Sequence, residues 1–280
     1  MDINKNEIIK EVKYLIFDMD GTLLDDHSSL HEENKKIPKL TKKYNLKHTI
    51  VSGRPLFMMH EQIEIIKPQM PVIGLNGSVI QDGKKTLWSK SLDNDLAKQL
   101  IADLKKMNMS FYAYTQSQMF VHPLHFEHVD RRRKQMATID LKYQWKIDEL
   151  AVHEKQWKEP ISKFLVCTDQ VLKLKELIES RYQDSLYFTQ SFATVCDIGH
   201  KSVNKGEGIK ELIKAYNAKP NEFMIFGDGW NDISMFNEVK YSVAMSNAHD
   251  SVKKHASFVT FKDNNNGGVA DFIEKIWGSL

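Results

Sequence analysis

KYLIFDMDGTLLDD, residues 13–26, is the stretch on which the fold turns. Tyr14-Leu15-Ile16-Phe17 is a short apolar run of the kind that fills a fully buried strand. It stops in two carboxylates, Asp18 and Asp20, separated by a single residue and followed by Gly21 and Thr22. Nothing in a buried strand calls for two acids at its tip. Acids there sit in the crevice at the carboxyl ends of a parallel sheet, where open α/β folds bind their ligands. In an extended chain residues i and i+2 share a side, so both carboxylates can reach one bound group. Gly21 lets the backbone turn sharply away behind them. The plainer alternative is an acidic turn closing a strand, since Asp and Gly are turn residues.

Outward from this stretch the same rhythm repeats. Residues 27–46 carry Leu30, Ile37, Leu40 and Tyr44 among Lys and Glu and read as a helix that Pro38 kinks or splits. Lys47 to Val51 is a second strand, closed by Ser52-Gly53-Arg54. Pro55 suits the first turn of a helix with Leu56, Met59, Ile63 and Ile66 on its apolar stripe, ended by Pro68. Ser52 thus stands where a strand meets a helix N-terminus, as an anion-binding hydroxyl or simply as a helix cap. Val72-Ile73-Gly74-Leu75 is a third strand, and Ser78 to Trp88 reads as a hairpin turning at Asp82-Gly83.

There the strand–helix alternation breaks. A helix from Leu92 to about Met107, a strand-like Ser110–Val121, a polar and basic stretch over 122–160, a strand at Lys163–Thr168, a helix marked by Val171, Leu174, Leu177 and Ile178, and a strand-like Tyr187–Asp197 follow. This order implies a separate α+β domain inserted over 85–198. After Lys205-Gly206 the first pattern returns. Ile209, Leu212, Ile213 and Tyr216 fit a helix, and Phe223-Met224-Ile225-Phe226 is a buried strand running into Gly227-Asp228-Gly229-Trp230-Asn231-Asp232. Ile233, Met235 and Phe236 begin another helix, Tyr241–Met245 and Phe258–Phe261 are strands, and Val269, Phe272, Ile273, Ile276 and Trp277 mark a final amphipathic helix. The fold class expected is α/β: a doubly wound, Rossmann-like parallel sheet core over 1–84 and 199–280, with an inserted α+β cap domain over 85–198.

Composition sets the outer limits. The chain has 280 residues, 41% of them hydrophobic and 27% charged, as in an ordinary soluble protein, with room for one large domain or two modest ones. A formal net charge of +2 supplies no field for nucleic acid or an anionic membrane. The first residues mix both charge signs without an apolar core, unlike a signal peptide, and no apolar run approaches a bilayer's thickness. Cys167 and Cys196 form no CxxC and suit a reducing compartment. A cytoplasmic protein is expected, monomeric or weakly homo-oligomeric.

In a parallel sheet the ends bearing Asp18/Asp20, Ser52 and Asp228/Asp232, with Lys205 at a helix start, share one edge. Four or more carboxylates there repel unless a cation joins them. Clustered oxygen ligands suit Mg²⁺, which takes one or two carboxylates together with a substrate phosphate. Lys205 and the amides beside Ser52 then face phosphate oxygens. A carboxylate aimed at a phosphorus atom neutralised in this way is a competent nucleophile, and the second acid can protonate a leaving oxygen.

DMDGTLLD, SGR, Lys205 ahead of a helix, and GDGWND resemble, in this order, the motif set of the haloacid dehalogenase superfamily. The place and character of the insertion are similar to the Cof-type phosphatases, and LNGSVI, VNKG and AMSNA are lesser echoes. The resemblance covers nearly the whole chain. It implies that Asp18 is the nucleophile forming an aspartyl-phosphate. It implies that Asp20 is the general acid, then the base for water, lending its backbone carbonyl to the metal. Ser52, Gly53, Lys205 and Asn231 form the implied phosphate-binding set, with Gly53 and Arg54 shaping the Ser52 turn. Asp18, Asp20, Asp228 and Asp232 form the implied Mg²⁺ set, with Asp232 supporting either the metal or Lys205. Ser52 stands where Thr is commoner but keeps the hydroxyl; Trp230 is bulky at a variable position; Ser246 replaces a usual glycine; and Pro38 interrupts a usually smooth helix.

The function expected is therefore Mg²⁺-dependent hydrolysis of a small phosphorylated metabolite, with a cap that closes to exclude water and sets specificity. A phosphomutase of the phosphomannomutase type and a non-catalytic phosphate-ligand-binding protein are the alternatives. Other features read as structural. His122, His125 and His128 are spaced by three, but Pro123 breaks the helix that would align them on Zn²⁺. Asp130-Arg131-Arg132-Arg133-Lys134 reads as a solvated face, Trp145 and Trp157 as packing, and Asp25-Asp26 as a turn or helix start. Gly199-His200-Lys201-Ser202 lacks the preceding glycine spacing of a P-loop.

Overall fold

The computed structural model describes residues 4–122, 134, 136–137, 139–150, 157 and 159–278. The chain opens with α1 (Lys5–Glu11), capped by the Asn4 side chain, which accepts from the Glu7 N–H. β1 (Tyr14–Asp18) follows, then α2 (Ile37–Lys43), β2 (Lys47–Val51), α3 (His60–Ile66), β3 (Val72–Gly74), β4 (Val79–Asp82) and β5 (Lys85–Ser89). Next come α4 (Asn94–Lys106), β6 (Ser110–Tyr114), β7 (Met119–His122), β8 (Ile147–Glu149), β9 (Lys163–Cys167), α5 (Val171–Arg181), β10 (Leu186–Phe192) and β11 (Val195–His200). The chain closes with α6 (Lys205–Ala215), β12 (Phe223–Gly227), α7 (Ile233–Phe236), β13 (Tyr241–Ala244), α8 (Asp250–Lys253), β14 (Phe258–Val259) and α9 (Gly268–Trp277).

These elements fall into two compact units. One takes the chain up to Gly53, Glu61–Trp88 and everything from Asn204; the other takes Arg54–His60 and Ser89–Val203. The first unit holds a sheet in the order β14-β13-β12-β1-β2-β3-β4-β5. From β14 to β3 every pairing is parallel, and β4 turns back antiparallel on β3. β1 lies in the middle, with Phe17 opposite Phe226 on one side and Asp18 opposite Val51 on the other. Its alternate side chains feed two layers, as strand geometry requires. Ile16 joins a cluster with Ile209 and Leu212 of α6 and Met235 and Phe236 of α7. Phe17 meets Phe226, which meets Phe272 of α9 edge-on at 5.6 Å. Helices on both faces of a mostly parallel sheet make this a doubly wound α/β layer structure.

The second unit holds a six-stranded sheet in the order β10-β11-β9-β6-β7-β8. α4 and α5 bury Leu100, Leu104, Leu174 and Ile178 against Phe111, Phe164, Val166 and Ile198 on one side of it. Trp157 packs against the same cluster. The residues alternating with these carry a buried ion pair between Lys163 and Asp197.

Several elements depart from the sequence reading. No helix covers 27–33: Leu30 is buried and bridges antiparallel to Leu24, so its apolarity serves a turn. Pro38 neither kinks nor splits a helix. It stands in the first turn of α2, where its missing N–H has no helical partner to lose. The stretch from Leu56 to Ile66 is two pieces, a 3-10 turn at Leu56–Met58 and then α3, with Pro55 in the cap position ahead. Ser110–Val121 is two strands joined by a turn in which Thr115 accepts from the Ser117 and Gln118 N–H groups. Tyr187–Asp197 is likewise two paired strands, β10 and β11. Asp25 does close a turn, accepting from the His27 and Ser29 N–H groups. His125, His128 and the basic run Asp130–Arg133 lie outside the described residues. His122 ends β7 with its ring 5.2 Å from that of Phe111.

Candidate active site

The parallel pairing of β1 with β12 and β2 brings three strand tips side by side. Asp18 is the last residue of β1, Gly227 the last of β12, and Ser52 follows the last of β2. Carboxylate oxygens of Asp18, Asp228 and Asp232 lie within 4.8 Å of one another. Lys205, the first residue of α6, is 1% exposed. Its Nζ sits 2.5 Å from Asp18 Oδ1 and 2.6 Å from Asp232 Oδ1. Asn204 caps that helix by accepting from the Glu207 N–H, which fixes where Lys205 begins. The other oxygen of Asp232 accepts from the N–H groups of Asp228 and Gly229, each at 2.8 Å. Both of its oxygens are thereby engaged, and the loop after β12 is tied to the lysine.

Asp228 is held from the other side. Thr22 Oγ1 donates to its Oδ1 at 2.8 Å. Gly21 has φ +76, and a Cβ there would stand 2.3 Å from Asp228 Oδ2. Only a residue free to adopt the left-handed region, and without a side chain, fits that position. Asn247 Nδ2 donates to the Gly21 carbonyl at 2.8 Å and holds the turn in place.

The charge balance is lopsided, with one buried ammonium among three carboxylates. Burial, then the neighbouring Asp232 charge, push Asp228 up to about 7, against the pull of Thr22 and Lys205. Burial and the Asp232 charge likewise raise Asp18 well above the ordinary carboxylate range, although Lys205 opposes them. For Lys205 burial favours the neutral form, but the Asp18 and Asp232 charges outweigh it and its pKa is raised. Carboxylates that resist ionisation in a cluster of oxygen donors fit a hard divalent cation, which removes the repulsion.

The placement of each sequence-derived residue is plain. Asp18, Lys205, Asp228 and Asp232 meet. Asp20 is exposed and bridges to Leu24; its charge reaches Asp228, but its carboxylate is not part of the three-acid cluster. Ser52 is 1% exposed, beside Asp18 in the sheet, and its N–H donates to the Ile73 carbonyl at 2.9 Å. Gly53 ends the first segment of the first unit, and a Cβ on it would come 2.9 Å from Asn76 Oδ1. Asn231 is exposed and donates from Nδ2 to Asn76 Oδ1 at 3.2 Å. Thr22, Asn76 and Asn247 were not singled out in the sequence. Their signals were available in DGT, LNG and AMSNA, where a polar side chain adjoins a glycine turn or a strand end.

The buried lysine and its three acids stand at the carboxyl ends of a doubly wound sheet, where open α/β folds bind ligands, and the acids could hold a metal ion. The family model for haloacid dehalogenase-like hydrolases matches residues 15–273, and the chain belongs to that family. "Putative phosphatase MG265" of Mycoplasma genitalium is 33% identical over 273 residues, covering 95% of this chain and 98% of that protein. The 5-amino-6-(5-phospho-D-ribitylamino)uracil phosphatase YwtE of Bacillus subtilis is 28% identical, covering 95% and 98%. Among solved structures, TM0651 of Thermotoga maritima superposes with a TM-score of 0.79 at 27% identity, covering 94% of this chain and 97% of that one. The chain is an enzyme of the haloacid dehalogenase-like class, similar along nearly its whole length to proteins named as phosphatases. No helix among the described residues is long and apolar enough to cross a membrane.

Proposed function

We propose that this enzyme hydrolyses the phosphomonoester of a small phosphorylated metabolite, a sugar or polyol phosphate, with Mg²⁺ and through an aspartyl-phosphate. One observation carries the reading: Lys205 Nζ is held between Asp18 and Asp232 while Asp228 completes a three-carboxylate cluster at the same strand tips. Asp18, Asp228 and the backbone carbonyl of Asp20 would hold the cation. When bound, it offsets charge on the transferring phosphoryl group. Asp232 supports Lys205 and the Asp228 loop.

In the first step a carboxylate oxygen of Asp18 forms a bond to phosphorus as the ester P–O bond breaks, and Asp20 gives its proton to the leaving alkoxide. In the second step Asp20 takes a proton from water, whose oxygen attacks phosphorus. The Asp18–phosphate bond breaks, regenerating the carboxylate and releasing inorganic phosphate. Lys205, the Ser52 hydroxyl, the Gly53 backbone and the Asn231 amide bind the phosphoryl oxygens, since this transfer depends mainly on positioning and electrostatics. The inserted α+β unit supplies recognition of the rest of the substrate. The phospho-ribityl group in the name of the YwtE relative supports a polyol phosphate. Cys167 and Cys196 are free thiols, which suits the reducing cytoplasm.

The test is release of inorganic phosphate from sugar phosphates, polyol phosphates, a nucleotide and pyridoxal phosphate, each with and without Mg²⁺. Mg²⁺-dependent release from at least one small ester is the expected result. Activity only with a bisphosphate activator and no net phosphate identifies a mutase instead. Binding of phosphate with no turnover on any ester removes the hydrolase reading.

A further inference from the structure

We propose that Asn76 is a positioning residue for the phosphate side of the site, holding the Asn231 amide and the Ser52 turn in the arrangement that receives a phosphoryl group. The proposal rests on the phosphatase reading above and gives a role to a residue of LNGSVI to which the resemblance assigned none.

The chain leaving β3 makes an unusual turn. Leu75, Asn76 and Gly77 have φ of 52°, 56° and 97°, three left-handed residues in succession. L-residues visit that region as single positions, and Leu is poorly suited to it. Strain of this kind persists only where the surroundings over-determine it, and it gathers at functional sites. The turn also reaches three segments of the site. The Asn76 N–H donates to the Ser52 carbonyl at 2.9 Å. Its side chain, 8% exposed, accepts from Asn231 Nδ2 at 3.2 Å. A Cβ on Gly77 would stand 2.2 Å from the carbonyl of Asn204, the residue that caps the helix begun by Lys205.

The Asn76 side chain also fills the space beside Gly53, where a Cβ would lie 2.9 Å from its Oδ1. Its acceptor is thus set between two groups assigned to phosphate binding. An amide nitrogen carries two N–H groups. With one donated to Asn76, the plane of the Asn231 amide is fixed and the second N–H is left for a phosphoryl oxygen.

Asn76→Gly tests this, because glycine keeps the left-handed backbone and the N–H to Ser52 and deletes only the side chain. The primary readout is calorimetric binding of inorganic phosphate in the presence of Mg²⁺, with KM and kcat for p-nitrophenyl phosphate alongside. We expect phosphate affinity to fall about tenfold and KM to rise with it, while kcat changes far less. In an Asn231→Ala background the same substitution should cost no more than about twofold, because the two residues act through one hydrogen bond. Gly53→Ala, which crowds the Asn76 oxygen from the other side, should reproduce the loss and serves if Asn76→Gly does not fold. Phosphate affinity within about twofold of the parent in the folded variant, or penalties that add in full in the double variant, overturns the proposal. Failure of the hydrolase reading looks different: phosphate binds with this mutational pattern but no ester is cleaved.

Discussion

Lys205 and the acids around it are the residues on which the proposed function rests. Three carboxylates share one buried ammonium, and burial opposes the charges of Asp18, Lys205 and Asp228. Such a cluster weakens the fold unless a cation offsets its repulsion, the cost to be expected of the proposed site. Asp18→Asn should therefore abolish turnover without loss of thermal stability in metal-free buffer, since it removes one repelling acid and leaves Lys205 paired with Asp232. Turnover at the parent rate in that variant would sink the nucleophile assignment. Gly21 makes a second residue-scale prediction. Alanine there must fit a left-handed φ of +76 and a Cβ 2.3 Å from Asp228 Oδ2. We expect Gly21→Ala to weaken Mg²⁺ binding more than about tenfold, because a carboxylate ligand is displaced; calorimetric titration with Mg²⁺ is the check, and parental affinity would contradict it. At this scale the sequence is read most easily where chemistry leaves an anomaly. Acids at the tip of an apolar strand identified Asp18 and Asp228. The motifs around Thr22, Asn76 and Asn247 were visible but gave these residues no role, because Thr and Asn are ordinary turn residues until their partners, far away along the chain, are known.

Elements were legible when burial on both faces wrote a continuous apolar run, as in β1 and β12, and less so where polar turns are short. The Thr115–Gln118 turn interrupts an otherwise strand-like stretch by four residues whose role depends on Thr115 accepting two N–H groups. Leu30 mimicked a helical face because its burial comes from a bridge to Leu24, which spacing alone does not reveal. β2 carries a polar residue whose place only the packing explains. His48 is fully buried, in hydrogen-bond contact with Thr41 at 3.0 Å and with the Ile66 carbonyl at 2.7 Å. Burial lowers its pKa against the pull of that carbonyl. Below about 6.5, the ordinary histidine value, the unfolded chain takes up a proton that the folded chain resists. The stability His48 permits is therefore full above that value and declines as the pH falls toward the folded-state pKa. The unfolding midpoint of the parent should drop on acidification from pH 7 to pH 5 more steeply than that of His48→Gln; equal slopes would refute the assignment.

For the whole molecule, the doubly wound core and the presence of an α+β insertion were readable because helical and strand periodicities alternate, stop, and resume at Lys205. The division of the chain at Gly53 was not readable, since Arg54–His60 groups with the insertion through packing rather than sequence adjacency. Every member of the acid cluster belongs to the first unit. Mg²⁺ should therefore stabilise that unit, by about 2.7 kcal/mol at a hundredfold excess over Kd. Hydrogen exchange should slow in β1, β12 and α6 on adding Mg²⁺ and stay unchanged in β6, β9 and β11, and chelation should reverse it. Slowing confined to the insertion would place the metal elsewhere.

The central strand also has a history during synthesis. β1 is flanked by β2 and β12, and β12 begins only at Phe223. At about 5–20 residues per second the ribosome leaves β1 clad on one edge for about 9–34 s before its other neighbour emerges. The insertion, complete by Val203, is free to fold in that interval. Ile16 and Phe17 meanwhile await Ile225 and Phe226, which makes the nascent chain a client for whatever shields apolar strands. Assembly of the acid cluster is thus a late product of translation, and a chain halted before Asp232 clears the exit tunnel carries Asp18 without the acids and lysine it is to meet.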